Sequence, residues 1–391
     1  MSLVVKQNIY LLSLFLYNLA RVLPHAILTV ILLNKGMDIS QIAVIQSFYM
    51  IAAIMFEFPS GILTDILSEK LMYEISIILI MVSYFFTWWT DNYLLLCVSW
   101  FIYGMSAASM SGSLDAYFVR SANNDDEIKK FNVLMNNSVL YSGLIGGGLG
   151  SLIFNIININ LYIISISIFL GSLLLIAFGF KIDANSNESN TKSRASLNKV
   201  FLEVKQIRTH KRLLKPIILL AIFQIMTQLF YQFWQISFLE QSISKKYFGI
   251  FYILFQLIAI IGNFMFSKFE FENRHILLIT TMSIMFLLSV IIHSKVIFLF
   301  AIFIFLIPFN VYNSQLNIDI QKAADEKIIA SIISLSGTIS SIISVVVLWI
   351  IGSLDNYFGF RGLGCLLVIS FFILSLITLV FFRKSNASIN E

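Results

Sequence analysis

Three ionisable residues lie inside stretches that are otherwise apolar: Arg21, His25 and Glu57. A charge near the centre of a bilayer costs about 2.5–3.5 kcal/mol on insertion scales, so such residues are usually functional or paired. Arg21 is about 14 residues into the first apolar stretch, which puts it deep in the membrane at the helical rise. Glu57 falls near the middle of the second stretch. His25 follows Arg21 by one helical turn and so shares its face. A carboxylate at Glu57 that takes up a proton, and gives it up to a bound cation or to Arg21, has the chemistry of proton–substrate exchange. The plainer alternative is a static Glu57–Arg21 pair fastening two helices. Arg21 with His25 also forms a cationic pair suited to a carboxylate or phosphate.

A second set is polar and uncharged. Gln224, Gln228, Gln232 and Gln235 are spaced by 4, 4 and 3, which places them on one helical face. Tyr231 and Trp234 flank them. Amides facing lipid would lack partners, so these face other helices or a water-filled cavity. The expectation is a cavity wall for a polar, aromatic-containing substrate, with Asn310 and Asn313 on the facing surface. Interhelical packing is the alternative. Gly143, Gly146, Gly147, Gly148 and Gly150 allow close helix crossing.

The elements that position these residues follow from composition. The chain has 391 residues, 58% hydrophobic and 12% charged, with mean hydropathy +0.87. Soluble domains carry about 25% charged residues, so soluble enzymes and binding modules are excluded. Spans of about 20 apolar residues fall near 7–33, 41–64, 71–90, 93–118, 132–155, 160–181, 214–239, 247–267, 275–293, 296–317, 328–352 and 361–382. The first is too long for a signal-peptide core and reads as a retained span. A polar, basic stretch at 182–213 separates residues 1–181 from 214–391. It reads as a cytoplasmic linker with a short surface helix near Val200–Arg208. The fold class is therefore an all-α membrane protein of twelve transmembrane helices in two pseudo-symmetric six-helix bundles.

Charge placement orients the chain. With both termini in the cytoplasm, only Lys35, Lys245, Lys246, Lys295 and Arg361 of the 26 basic residues fall in outside loops, and Arg21 lies within a span. The rest face inward, as the positive-inside rule requires, and the net charge of +5 needs no nucleic-acid partner. Trp88 and Trp89 mark the outer interface. Cys97 and Cys365 offer no disulfide framework, and no P-loop, metal motif or nucleophile–base set occurs. No cofactor and no metal are expected. The expected partners are the lipid bilayer, protons and a small-molecule substrate, and a monomer is expected.

The turn after the second span reads Gly61-Ile-Leu-Thr-Asp65-Ile-Leu-Ser-Glu69-Lys70. It resembles the G-x-L-x-D-x-x-G-R-K loop of the major facilitator superfamily, with Ser68 in place of glycine and Glu69 in place of arginine. Glu57-Phe-Pro-Ser-Gly61, Ser111 to Ala116, and Arg21 with Pro24 are similar to a drug-efflux-like branch. The glycine-rich fifth span weakly resembles that of antiporter members. The resemblance implies a major facilitator fold and proton-coupled export of small, drug-like compounds. Gly61, with helices closely apposed at it, Asp65, Lys70, Asp115 and Arg120 would form a conformational latch, with Lys70 or Arg120 replacing the usual wiring at Glu69. Transport of an anionic metabolite held by Arg21 and His25 is a second reading. A membrane-embedded enzyme or lipid-handling protein is a third. High Ile, Asn, Lys and Phe usage fits the cell membrane of a bacterium with an AT-rich genome.

Overall fold

The computed structural model describes residues 3–111, 113–121, 124–180, 211–268, 274–292, 294–323 and 329–387. These form helices and no strands. In order they are α1 (Leu3–Val22), α2 (Leu28–Asn34), α3 (Ile39–Leu67), α4 (Glu69–Trp89), α5 (Tyr93–Met110), α6 (Leu114–Arg120), α7 (Asp125–Ile157) and α8 (Leu161–Gly179). Then follow α9 (Lys211–Glu240), α10 (Phe248–Lys268), α11 (His275–Ile291), α12 (Lys295–Ala323) and α13 (Ile329–Ala387). Almost all of the expected linker, and its surface helix, lie outside the described residues.

Among the described residues, nine stretches are long and apolar enough to cross a membrane. Glu127–Gly179, with 53 residues, and Leu335–Phe381, with 47, are each long enough to cross twice. His275–Ile291 is a further apolar helix of 17 residues. Taken in order, these are consistent with the twelve expected spans. The long stretches bend where the backbone leaves the helical region, at Asn158 (φ 52°) and Gly359 (φ 67°). The first span breaks at Pro24, which has no N–H to continue the ladder. The chain passes through a 3-10 turn, His25–Ile27, before α2. The start of α3 is fixed by a capping box in which Asp38 and Gln41 exchange side-chain and backbone hydrogen bonds.

The helices gather into two compact units, one containing α1–α8 with Ser244–Ile253 and the other α9 with the chain from Leu254 onward. In the first, α3 packs on α5, α5 on α4, α4 on α8, and α1 on both α7 and α8. In the second, α9 packs on α12 and α13, and α11 packs on the same two helices. Buried hydroxyls pair within the first unit: Ser13 Oγ lies 2.7 Å from Ser172 Oγ and 3.1 Å from Tyr73 OH.

Close approaches are made by particular glycines. A Cβ at Gly104 on α5 would run into the Tyr49 carbonyl oxygen and lie 2.7 Å from Ala52 Cβ, both on α3. On α7, Gly146 and Gly150 seat against the backbone at Leu19 of α1 and at Leu23 just beyond its end. Gly147 and Gly148 receive Tyr252 and Ile253 within the same unit, where Ser151 Oγ accepts from the Gly249 N–H at 2.8 Å. At Gly61 a Cβ would meet nothing within 4 Å, although the neighbouring Ser60 Oγ donates to the Ala108 carbonyl on α5 at 2.9 Å. Gly104→Val is expected to destabilise the protein by about 1–3 kcal/mol, read as a lower melting temperature in detergent, whereas Gly61→Ala leaves it unchanged.

Candidate functional site

Arg21 sits in the last turn of α1, and its side chain is partly covered. Its Nη2 donates to Asn18 Oδ1 at 3.2 Å, and its own backbone carbonyl accepts from Tyr84 OH at 2.7 Å. The phenols of Tyr17, Tyr49, Tyr84 and Tyr103 lie within electrostatic reach of the guanidinium. These rings are mutually packed, with Tyr49 and Tyr103 centroids 4.8 Å apart and Tyr84 and Tyr103 6.0 Å apart. Trp100 meets Tyr103 at 6.0 Å. His25 Nε2 is 3.2 Å from Tyr103 OH. The equal-face reasoning for Arg21 and His25 fails, since the helix breaks between them. They are joined through the tyrosine shell instead.

Arg21 has no carboxylate at ion-pair distance among the described residues, and its Nε is buried without a hydrogen-bond partner there. The static Glu57–Arg21 pair is therefore not formed. Glu57 is exposed on α3, about 15 Å along the helix from its end at Leu67. The tyrosine shell was not singled out in the sequence. It draws on α1, α3, α4 and α5, and no local spacing connects those positions.

The loop motif holds a different ion pair. Arg120 at the end of α6 pairs with Glu69 at the start of α4. An acid at the position where arginine is usual is thus met by a base from the next helix pair. Lys70 donates to the Ala177 carbonyl at 3.1 Å and lies 3.6 Å from Glu74. Ser68 adopts φ 142°, a region that glycine enters freely and other residues enter at a cost of about 1–3 kcal/mol. Its hydroxyl offsets part of that by accepting the Leu71 N–H and capping α4. Asp115 lies in the first turn of α6. The Asp65 side chain lies outside the described residues.

The glutamine face of α9 is largely covered. Gln228 and Gln235 are buried, as is Trp234, while Gln224 and Gln232 are half-buried. Gln228 Nε2 donates to Ser344 Oγ on α13 at 2.8 Å. Gln228 and Gln235 sit inside the bundle, as the packing alternative has it for those two positions, while Gln224 and Gln232 stay half-buried. On α12, Asn310 turns back to the Leu306 carbonyl and packs against Gly262, while Asn313 is exposed.

The model of the Major Facilitator Superfamily matches residues 10–347. The chain belongs to this superfamily. No curated protein matches its sequence. Among solved structures, a mutant form of the nucleoside transporter NupG superposes with a TM-score of 0.80 at 14% identity, covering 97% of this chain and 100% of that one. A POT family transporter in complex with a thioalcohol-conjugated peptide gives 0.75 at 15%, with 97% and 96% covered. A D-xylose-proton symporter gives 0.71 at 11%, with 96% and 97% covered. At these identities the likeness is one of fold.

This member of the superfamily is thus a multi-pass membrane transporter and not an enzyme. Its loop ion pair is exposed on the Arg120 side, so a value of about 0.2–1 kcal/mol is appropriate. Arg120→Glu is expected to slow transport several-fold, and the charge-swapped double variant Glu69→Arg with Arg120→Glu to restore it, measured in proteoliposomes at equal protein density.

Proposed function

We propose that the protein is a secondary active transporter of a small organic anion, driven by protons and working by alternating access. The observation that carries this is Arg21: a cation in the membrane interior with no acidic partner among the described residues and one orphaned N–H. An ion so placed is costly unless a ligand completes it. A carboxylate or phosphate supplies the missing acceptor, and the surrounding phenols and His25 add hydrogen-bond donors. The same cation repels lipophilic cations, which counts against cationic drugs as the main cargo. The fold relatives carry a nucleoside, a peptide or a xylose by their titles, so they do not choose the substrate. That one is a proton symporter supports the coupling ion.

Export of drug-like compounds is the second reading. It is favoured by the exposed carboxylate of Glu57, which in that mechanism exchanges a proton for a cationic or neutral compound. In either reading both termini are cytoplasmic, on the strength of the inward bias of Lys and Arg, and the high Ile, Asn, Lys and Phe usage favours a bacterial cell membrane. Asp65, Lys70, Asp115 and Arg120 remain the proposed latch between transport states.

The two readings part on substrate charge. Proteoliposomes with an imposed pH gradient are challenged with small carboxylates, organic phosphates and lipophilic cations. Anions are expected to trigger proton movement, and Arg21→Gln to reduce that response about tenfold to a hundredfold, the worth of a charge-assisted bond. A response to the cations alone, abolished by Glu57→Gln, would establish drug export instead.

A further inference from the structure

The second unit contains a titratable pair for which neither reading has a use. His275 opens α11, and its Nε2 lies 3.3 Å from Asp319 Oδ2 on α12. The imidazole is nine-tenths buried, with 10% of the side chain exposed. The other carboxylate oxygen accepts from Gln315 Nε2 at 2.7 Å, one turn back along α12. Tyr312 meets the imidazole edge-on at 5.9 Å between centroids. Asp319 and, from α9, Lys215 are the charged groups that act on His275. Its Nδ1 is buried and has no hydrogen-bond partner among the described residues.

Nε2 faces Asp319 Oδ2, so a neutral ring with its hydrogen on Nε2 keeps its lone pair on Nδ1, and that atom is where an arriving proton binds. We infer that His275 and Asp319 form a proton-binding pair that fastens the start of α11 to α12 when His275 is charged and loosens when it is neutral. Histidine is the side chain whose ordinary titration falls between pH 5 and 8. A charged donor makes the bond to a carboxylate roughly twice as strong as a neutral one. The sign follows: acid tightens the pair and alkali relaxes it. Burial, the largest influence, opposes the charge, Asp319 supports it, and Lys215 opposes it. Both residues lie at the helix ends that the basic-residue count assigns to the cytoplasm. The pair therefore reports cytoplasmic pH to the helices of the second unit.

The inference does not depend on the substrate proposed above, and its test uses none. Amide hydrogen exchange over the first turns of α11 is measured on the full chain in detergent at pH 5 and pH 8, corrected for intrinsic exchange. These amides are expected to be about fivefold more protected at pH 5. His275→Gln and Asp319→Asn are expected to lose the difference, while His25→Gln retains it. Equal protection at the two pH values in the native chain, or a difference that persists in His275→Gln, would overturn the proposal. Should Asp319→Asn fail to fold, Lys215→Gln serves in its place. It is expected to extend the protected state toward pH 8, and an unchanged profile there would also overturn it.

Discussion

A bilayer offers no hydrogen-bond partners, so every polar group placed in it must be satisfied by the protein or by what the protein carries. Most of this chain obeys that constraint from within. Ser13, Tyr73 and Ser172 bond to one another across three helices, and Ser83, Thr87 and Ser99 bond to one another between α4 and α5. Gln228 is taken up by Ser344. Some buried polar atoms have no partner among the described residues, Arg21 Nε and His275 Nδ1 among them. The surroundings of Arg21 are rich in phenols, and no carboxylate lies at ion-pair distance among the described residues, which is the gap the proposed anion would fill.

The two units answer the same local problem with opposite polarity. In the first, the helix after the loop motif starts with an acid, Glu69, and meets a base, Arg120. In the second, α11 starts with a base, His275, and meets an acid, Asp319. Each pair ties the start of one spanning helix to the far end of a neighbouring element.

Glycine illustrates how helix crossings are chosen. The family-like loop draws attention to Gly61, yet the backbone contact belongs to Gly104, where α5 meets α3 at Tyr49 and Ala52. The dense glycines of α7 do what their density suggests. Gly146 and Gly150, four apart and so on one face, lie against α1 around Leu19 and Leu23. That contact adjoins the break at Pro24 and so helps set the position from which Arg21 and His25 reach the tyrosines.

Length, apolar runs and the bias of Lys and Arg were enough to read a helical membrane protein with its spans in order, because hydrophobic burial in lipid is a property of each segment by itself. The loop motif likewise identified the superfamily, since its residues are contiguous. Arg21 and His25 were visible as charges out of place. The residues around them were not, because Tyr17, Tyr49, Tyr84 and Tyr103 come together only when α1, α3, α4 and α5 pack. For the same reason the face of α9 looked like a cavity wall in one dimension and proved partly interior in three. Spacing says which residues share a face of a helix; only the packed neighbours decide whether that face is covered by protein or left for something else to meet.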